Sequence, residues 1–561
     1  MASAVLSGAA APPAVGLEAR PVSSPSPSLD LAWLGGACVA LLVLCGLPYL
    51  VAAAFGPPEL ARLGTFWFVR DFSQYQAAMR EGASSASWLI HDRFTAEPHQ
   101  PVLMYPLYVA LGKLGAALHV SDVALFTAAE WVGRVSLLGA IYAFCASFLT
   151  ERRQRRLATL LATATLGLTA WTAPVRALLE VTGAHPLAGL LPSTINVYLE
   201  MSSFGVFLSA PHLMLGLALT LLCAPVYLRA ATGRRAWVLV LGLVASALSL
   251  VHPFNLPVLA SVLATHAVLH GRRAWPAGFV AAVAAAPMAL YNLLLFQVDS
   301  FWSGTYGAQN TMPAPAPWSL PIDFGLVLLA APLAWTTLSN WPSERRRLVL
   351  LWVGLGLVWL YAPVPYQRRF AFGVQPALAV LGAAGLLRAN GWMAERGWSR
   401  LARRLANYGF VVAGLSTSVL VYVSLIASAA HNRPAEVYLW TRPEAEAAEW
   451  LSGRTTAEDV VLASTPFANP LVGAFDGRVV HGHIVATRDS AAKQAQVARF
   501  FSADATPAER SQLLAQTGAT VVALGPHERA LGVADLADQP DLRLAYDRDG
   551  VAWFWFVKAQ P

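Results

Sequence analysis

Charge is what this chain has least of. Only 13% of its 561 residues are Asp, Glu, Lys or Arg, where soluble globular proteins carry roughly 25%. That shortage, with 56% hydrophobic residues and a mean hydropathy of +0.51, excludes a soluble enzyme, a disordered scaffold and a free nucleic-acid binder. Cysteine is scarce too. Cys38, Cys45, Cys145 and Cys223 each sit inside an apolar run, so neither a disulfide framework nor a Cys-x-x-Cys metal spacing is present. Only three lysines occur (Lys113, Lys493 and Lys558). Nearly all positive charge is therefore Arg, which together with abundant Ala suits a GC-rich bacterial genome. No Gly-x-Gly-x-x-Gly and no P-loop appears in the C-terminal region, which leaves nucleotide chemistry there without support.

The charge that is present is unevenly divided. Residues 430–561 hold 16 of the 32 acids and 12 of the 39 bases, whereas residues 1–429 hold 16 acids and 27 bases. A basic, apolar membrane body and an acidic soluble tail are implied. Residues 1–30, rich in Ala, Pro and Ser, read as a disordered cytoplasmic leader. Arg clusters at 152–156, 229–235, 272–273, 345–347 and 388–404 can all be cytoplasmic only if every apolar block between them crosses the bilayer twice. The result is about 11 spans over 31–429, with the N-terminus inside and the tail outside. Residues 55–122 then form a large first external loop, in which the apolar stretch 101–118 is an interfacial or re-entrant helix. The His252-Pro253 step hinges two short spans. The tail, 430–561, reads as a soluble extracytoplasmic α/β domain. Its expected helices are Pro443–Leu451, Ala491–Phe501 and Pro507–Gln516. Its expected strands are Val460–Ala463, Val479–His481, Thr520–Leu524 and Val551–Val557.

Three constellations carry possible chemistry. In the first external loop, Arg70-Asp71-Phe-Ser-Gln-Tyr75 follows an aromatic run, and His91-Asp92-Arg93 precedes Glu97-Pro98-His99. Acids, histidines and arginines beside aromatics supply a general base and cations for sugar transfer from a lipid phosphate; the plainer reading is a wet loop. Asp71 stands out because a charge close to the bilayer surface is costly without a role. The second is Tyr366-Gln367-Arg368-Arg369, two arginines on the outer side against the positive-inside trend. They suit either bidentate phosphate binding or snorkelling to headgroups. The third is His252 with Asn255, which either binds substrate hydroxyls or satisfies a broken helix. Glu200 and Asn196 lie in the second external loop and Tyr306 and Asn310 in the third. In the tail, His483 of His481-Gly-His483 can face the membrane site. None of these loops contains an Asp-x-Asp metal pair. No cofactor is implied, and a divalent cation has no motif behind it.

These features together resemble the GT-C superfamily of integral-membrane glycosyltransferases: an acid just after the first span, a long first external loop with interfacial helices, about a dozen spans and an external C-terminal domain. The pattern looks most like the protein O-mannosyltransferase and aminoarabinose transferase branch. Asp71-Phe-Ser-Gln-Tyr75, Glu97-Pro98-His99 and Tyr366-Gln-Arg-Arg-Phe370 carry the resemblance. It implies a hexosyl or pentosyl transferase using a polyprenyl-phosphate sugar, with a glycan, lipid or protein acceptor and no nucleic acid. Asp71 would be the base. Glu97 would supply the second carboxylate, because Arg70 and Phe72 flank Asp71 where the O-mannosyl branch has adjacent acids. Arg368 and Arg369 would hold the phosphate; Arg70, Tyr75, His91, His99, His252, Asn255, Tyr366, Gln367 and His483 would line the substrate site. Three rivals remain, one of them a structural or assembly protein whose tail domain, 430–561, is the working part. A transporter or flippase of lipid-linked glycans predicts charges buried along a path, for which Glu130 and Arg134 are the best pair. An oligosaccharyltransferase is disfavoured by the missing Asp-x-Asp.

Overall fold

A computed structural model describes residues 27–192, 198–432 and 438–557. Most of the expected leader, up to residue 26, and Asn196 lie outside the described residues. From Pro27 the chain is already helical and continues as α1, Pro27–Phe55. A two-residue strand β1 (Leu60–Ala61) leads to α2 (Val69–Ser84), α3 (Pro106–Leu118) and α4 (Asp122–Phe148).

Every apolar segment expected to cross is helical. Six helices are long and apolar enough to span a bilayer: Asp30–Phe55, Asp122–Phe148, Pro211–Ala230, Trp275–Val298, Val374–Glu395 and Arg400–His431. Two further segments pass only as bent pairs. Arg152–Ala164 meets Thr169–Val181 at 48°, and Pro317–Asp323 meets Leu326–Leu338 at 99°. Gly325, at φ +64, takes the sharper bend, a conformation that a Cβ would strain. The other three are short: Arg235–Val251, Leu256–His270 and Ser343–Trp359. At 1.5 Å per residue a 17-residue helix is roughly 25 Å long, less than the hydrocarbon core. The first two of these are separated by a 3₁₀ turn at Pro253–Asn255, so the His252-Pro253 hinge is real. With 13 residues, α3 is also short of a crossing.

α2 is amphipathic. Phe72, Tyr75, Ala78 and Met79 are buried on one side, at helical spacing, together with Tyr108, Val109 and Phe126. α2 and α3 cross at van der Waals distance because both are glycine at the contact. A Cβ on Gly112 would stand 1.9 Å from the Met79 carbonyl oxygen, and one on Gly82 2.5 Å from that of Val109. This crossing fixes where the start of α2 points. Ser121 caps α4 by accepting from Ala124 N–H.

The tail carries a five-stranded sheet in the order β4-β3-β5-β7-β6. β3 (Val460–Leu462) pairs in parallel with β4 (Arg478–Val479) and β5 (Val521–Leu524); β7 (Val551–Phe556) pairs antiparallel with β5 and β6 (Leu542–Arg548). Helices Arg442–Ser452, Ser490–Phe500 and Pro507–Thr517 cover it, each within a residue of expectation. Strand β6, the helix Thr465–Ala474 and two shorter elements, Trp440–Thr441 and Pro526–Arg529, were not anticipated from the sequence. The tail is also tied to the start of the first loop, since β1 pairs antiparallel with β2 (Trp440–Thr441).

Candidate functional site

The unanticipated Thr465–Ala474 helix packs on α2 and brings the tail onto the first loop. Asn469, buried on that helix, donates to the carbonyls of Arg70 (3.1 Å) and Gly482 (3.0 Å) and accepts from the Ser73 hydroxyl at 3.0 Å. It holds the first turn of α2 against the loop 481–489. The same loop is stapled from two other sides. Thr487 donates to Phe94 O, and Gln309 Nε2 donates to Val485 O and Thr487 O.

The outcome is a dyad between residues 412 positions apart. His483 Nε2 lies 3.1 Å from Asp71 Oδ1. The backbone N–H groups of Val485 and Ala486 both donate to His483 Nδ1, at 3.2 and 3.3 Å. Nδ1 is therefore the acceptor and Nε2 carries the proton, which points at the carboxylate. Gln74 Nε2 stands 2.9 Å from the same Nε2. A protonated Nε2 requires the Gln74 amide to present its oxygen there and its NH₂ to the Tyr105 and Tyr306 hydroxyls, an orientation assigned from the network. The Asp71 side chain remains 39% exposed.

The aromatic wall beside Asp71 is buried. Tyr75 stacks on Tyr108, 4.4 Å between centroids, and meets Tyr105 edge-on at 5.6 Å. Burial raises the Tyr75 phenol well above its usual value, and the nearby Asp71 charge adds to it, while Arg369 opposes it. Tyr105 feels the same two charges. Asp71 and Arg369 thus both lie within electrostatic reach of the same two buried tyrosines.

The two arginines separate in the structure. Arg368 donates to Glu200 at 3.0 Å and lies over the Tyr198 ring. Its charge is already matched by that carboxylate. Arg369 lies 4.4 Å over Phe254 and donates to Asn310 at 3.3 Å, and its Nε is buried without a partner. A buried guanidinium N–H left unmade is costly. Gln367 accepts from Ala314 N–H, and Tyr366 meets Phe254 edge-on. Both support the Arg369 turn.

Several expected site residues have other partners. Glu97 is held by Lys493 of the tail, at 2.6 Å, and by the Thr95 hydroxyl. His99 accepts from Asp92 N–H at 2.7 Å, donates to Glu97 O and stacks on Phe301 at 4.1 Å. His91 pairs with Glu81 at 2.8 Å. These three fasten the first loop and the tail. The Arg70 side chain is exposed, while its carbonyl serves Asn469. His252 is buried and stacks on Phe372, and Asn255 donates to Thr220 at 2.8 Å. Neither contact reaches a carbonyl freed by the helix break, and His252 Nδ1 and Asn255 Oδ1 are buried without a partner. Glu130 pairs with Arg134 at 3.4 Å and accepts from Tyr49, so its charge is matched rather than laid along a path. Among the described residues no group of three or more His, Cys, Asp or Glu is placed to share a metal ion.

Sequence reasoning passed over Asn469, Gln74 and Tyr105 because no local pattern marks them. It also listed Asp92 only as one acid among several. Burial pushes the Asp92 carboxyl up to about 8, and its Oδ2 has no partner.

Acid should loosen this docking. His481 is hydrogen-bonded to Thr465 (2.7 Å) and Ser490 (3.0 Å), and burial lowers it to about 4. A histidine held neutral stabilises fully above its ordinary value near 6.5 and loses that contribution as pH falls toward 4. Glu97, lowered by its Lys493 and Thr95 hydrogen bonds against the opposing effect of burial, changes in the same direction. The loss expected from His481 is about 3 kcal/mol at most. Limited proteolysis of the tail should quicken between pH 7 and pH 4.5, and less so in His481→Gln.

No family model matches the chain, and no curated protein matches it. Solved structures do. The oligosaccharyltransferase of Archaeoglobus fulgidus, tethered to an acceptor peptide, superposes with a TM-score of 0.53 at 12% identity, covering 95% of this chain and 74% of that one. The chain has the GT-C fold. The apo form of the same enzyme gives a TM-score of 0.51, also at 12% identity, covering 95% of this chain and 75% of that one. ArnT from Cupriavidus metallidurans, bound to undecaprenyl phosphate, gives 0.47 at 14% identity over 96% of this chain and all of that one. The chain is a multi-pass membrane protein of this fold, with a C-terminal sheet region.

Proposed function

We propose that the chain is a glycosyltransferase. It moves a hexose or pentose from a polyprenyl-phosphate carrier to an acceptor hydroxyl at the external face of a bacterial inner membrane. In this reading the N-terminus is cytoplasmic, 31–429 is the membrane domain and 430–561 is an extracytoplasmic domain. One observation supports the reading: a part-exposed carboxylate hydrogen-bonded to a histidine lies within electrostatic reach of the same buried tyrosines as a guanidinium whose Nε–H is buried and unpartnered. Solved proteins of the same fold include an oligosaccharyltransferase captured with its acceptor peptide.

The step balances as follows. The acceptor oxygen forms a bond to the anomeric carbon as that carbon's bond to the phosphate oxygen breaks, with inversion. The acceptor proton passes to Asp71, and the bonding pair leaves with the polyprenyl phosphate. Arg369 stabilises the charge that develops there. His483 donates to Asp71 and fixes which oxygen is free to take the proton. His483 and Gln74 position the base; Tyr75 and Tyr105 exclude water.

The test is release of polyprenyl phosphate from purified protein in proteoliposomes, with labelled sugar donors and a panel of acceptors. Acceptor-dependent release with transfer of label is expected. Movement of intact donor between leaflets, with no release, would replace this reading with translocation.

A further inference from the structure

A second charged cavity plays no part in that chemistry. It has a volume of about 510 Å³ and lies where α1 ends and α4 begins, against the β1–β2 ribbon. Tyr49 of α1, Thr127 of α4 and the buried Thr65 form one wall; Arg62, Arg442 and Glu446 form its charged rim. Neither arginine is paired with a carboxylate among the described residues. Arg442 commits its Nε to the Pro58 carbonyl. Elsewhere around the first loop arginines are matched, Arg80 by Asp476 and Arg93 by Glu81. With one acid against two guanidiniums, the rim is cationic.

What lies next to the rim decides the kind of ligand. α1 and α4 both belong to segments long and apolar enough to cross a bilayer. Along their length they expose Leu47 (37%), Leu50 (68%) and Val132 (60%). A soluble anion would use the arginines and leave this wall unused. A lipid phosphate would use both, its oxygens on the guanidiniums and threonine and its chains along the two helices.

We propose that the cavity rimmed by Arg62 and Arg442 binds the phosphate headgroup of an anionic glycerophospholipid. It is separate from the candidate site around Asp71 and Arg369 and independent of the reaction assigned there.

Full-length protein in a neutral detergent is titrated with phosphatidylglycerol, phosphatidylcholine or inorganic phosphate. Thermal unfolding is followed, and retained lipid is counted by native mass spectrometry. Phosphatidylglycerol should raise Tm saturably and be retained, and phosphatidylcholine should do neither. Arg62→Gln with Arg442→Gln should weaken that affinity at least about tenfold. If the glutamine pair lowers basal stability, Arg62→Lys with Arg442→Lys keeps the charge and should keep measurable binding. Arg153→Gln, an exposed arginine of the 152–156 cluster, should change nothing. An equal loss in Arg153→Gln would overturn the site in favour of diffuse charge. A loss in Arg369→Ala would place the lipid at the candidate site and overturn it too. An equal shift with inorganic phosphate would overturn the lipid assignment.

Discussion

Asp71→Asn is expected to lower turnover about 10²–10⁴-fold, the usual contribution of a positioned general base, with little change in yield or Tm. The amide oxygen can still accept the His483 Nε2 proton, so the dyad geometry is kept and only basicity is lost. Asp71 lies in the first turn of α2 and its side chain is 39% exposed, hence the fold does not depend on its charge. The measurement is single-turnover release of polyprenyl phosphate at saturating donor, beside donor affinity for the same variant. Loss confined to the chemical step with donor binding intact is the expected pattern. Release at the wild-type rate would remove Asp71 from the mechanism. His483→Ala offers a graded companion: the base remains but loses its fixed orientation, so the rate should fall less and its pH dependence should shift.

Much of the membrane architecture was legible because hydrophobic length and arginine placement are one-dimensional signals. Eleven apolar segments follow from them, and all eleven are helical. Their bends were not legible. The break before Leu326 depends on Gly325 packing against Leu166 and Gly167 from a distant segment. The tail shows the same limit. The helix Thr465–Ala474 contains Pro466 and Pro470, which read as breakers, yet Pro466 sits in the first turn, where its missing N–H costs nothing. β6 was missed although Leu542, Leu544 and Tyr546 alternate with Arg543, Ala545 and Asp547; it is an edge strand, and its charges resemble those of a surface loop. The site was half legible. Asp71 and the arginines announced themselves as charges where charge is scarce. Their sorting did not: Glu97 finds Lys493 across 396 residues, and Asn469 reaches Arg70 across 399.

That sorting yields the sharpest contrast available. Arg369→Ala should weaken binding of a polyprenyl-phosphate sugar about 10- to 100-fold, the loss of one hydrogen bond to a charged group. Arg368→Ala should leave donor affinity near wild type and lower Tm instead, because it strands the buried Glu200 carboxylate. The sequence treats the two as neighbours with one role; the structure turns one toward the Glu200 carboxylate and lays the other over Phe254. Arg369→Lys separates charge from shape. A lysine keeps the positive charge but cannot present the planar Nε–H that lies unpartnered, so partial recovery of affinity without recovery of rate would mark the guanidinium as a ligand of the leaving phosphate. Equilibrium binding of a fluorescent polyprenyl phosphate to the three variants, read beside their melting curves, makes the comparison. Equal affinity losses in Arg368→Ala and Arg369→Ala would restore the joint grip, and with it a Glu200 that releases Arg368 when donor arrives.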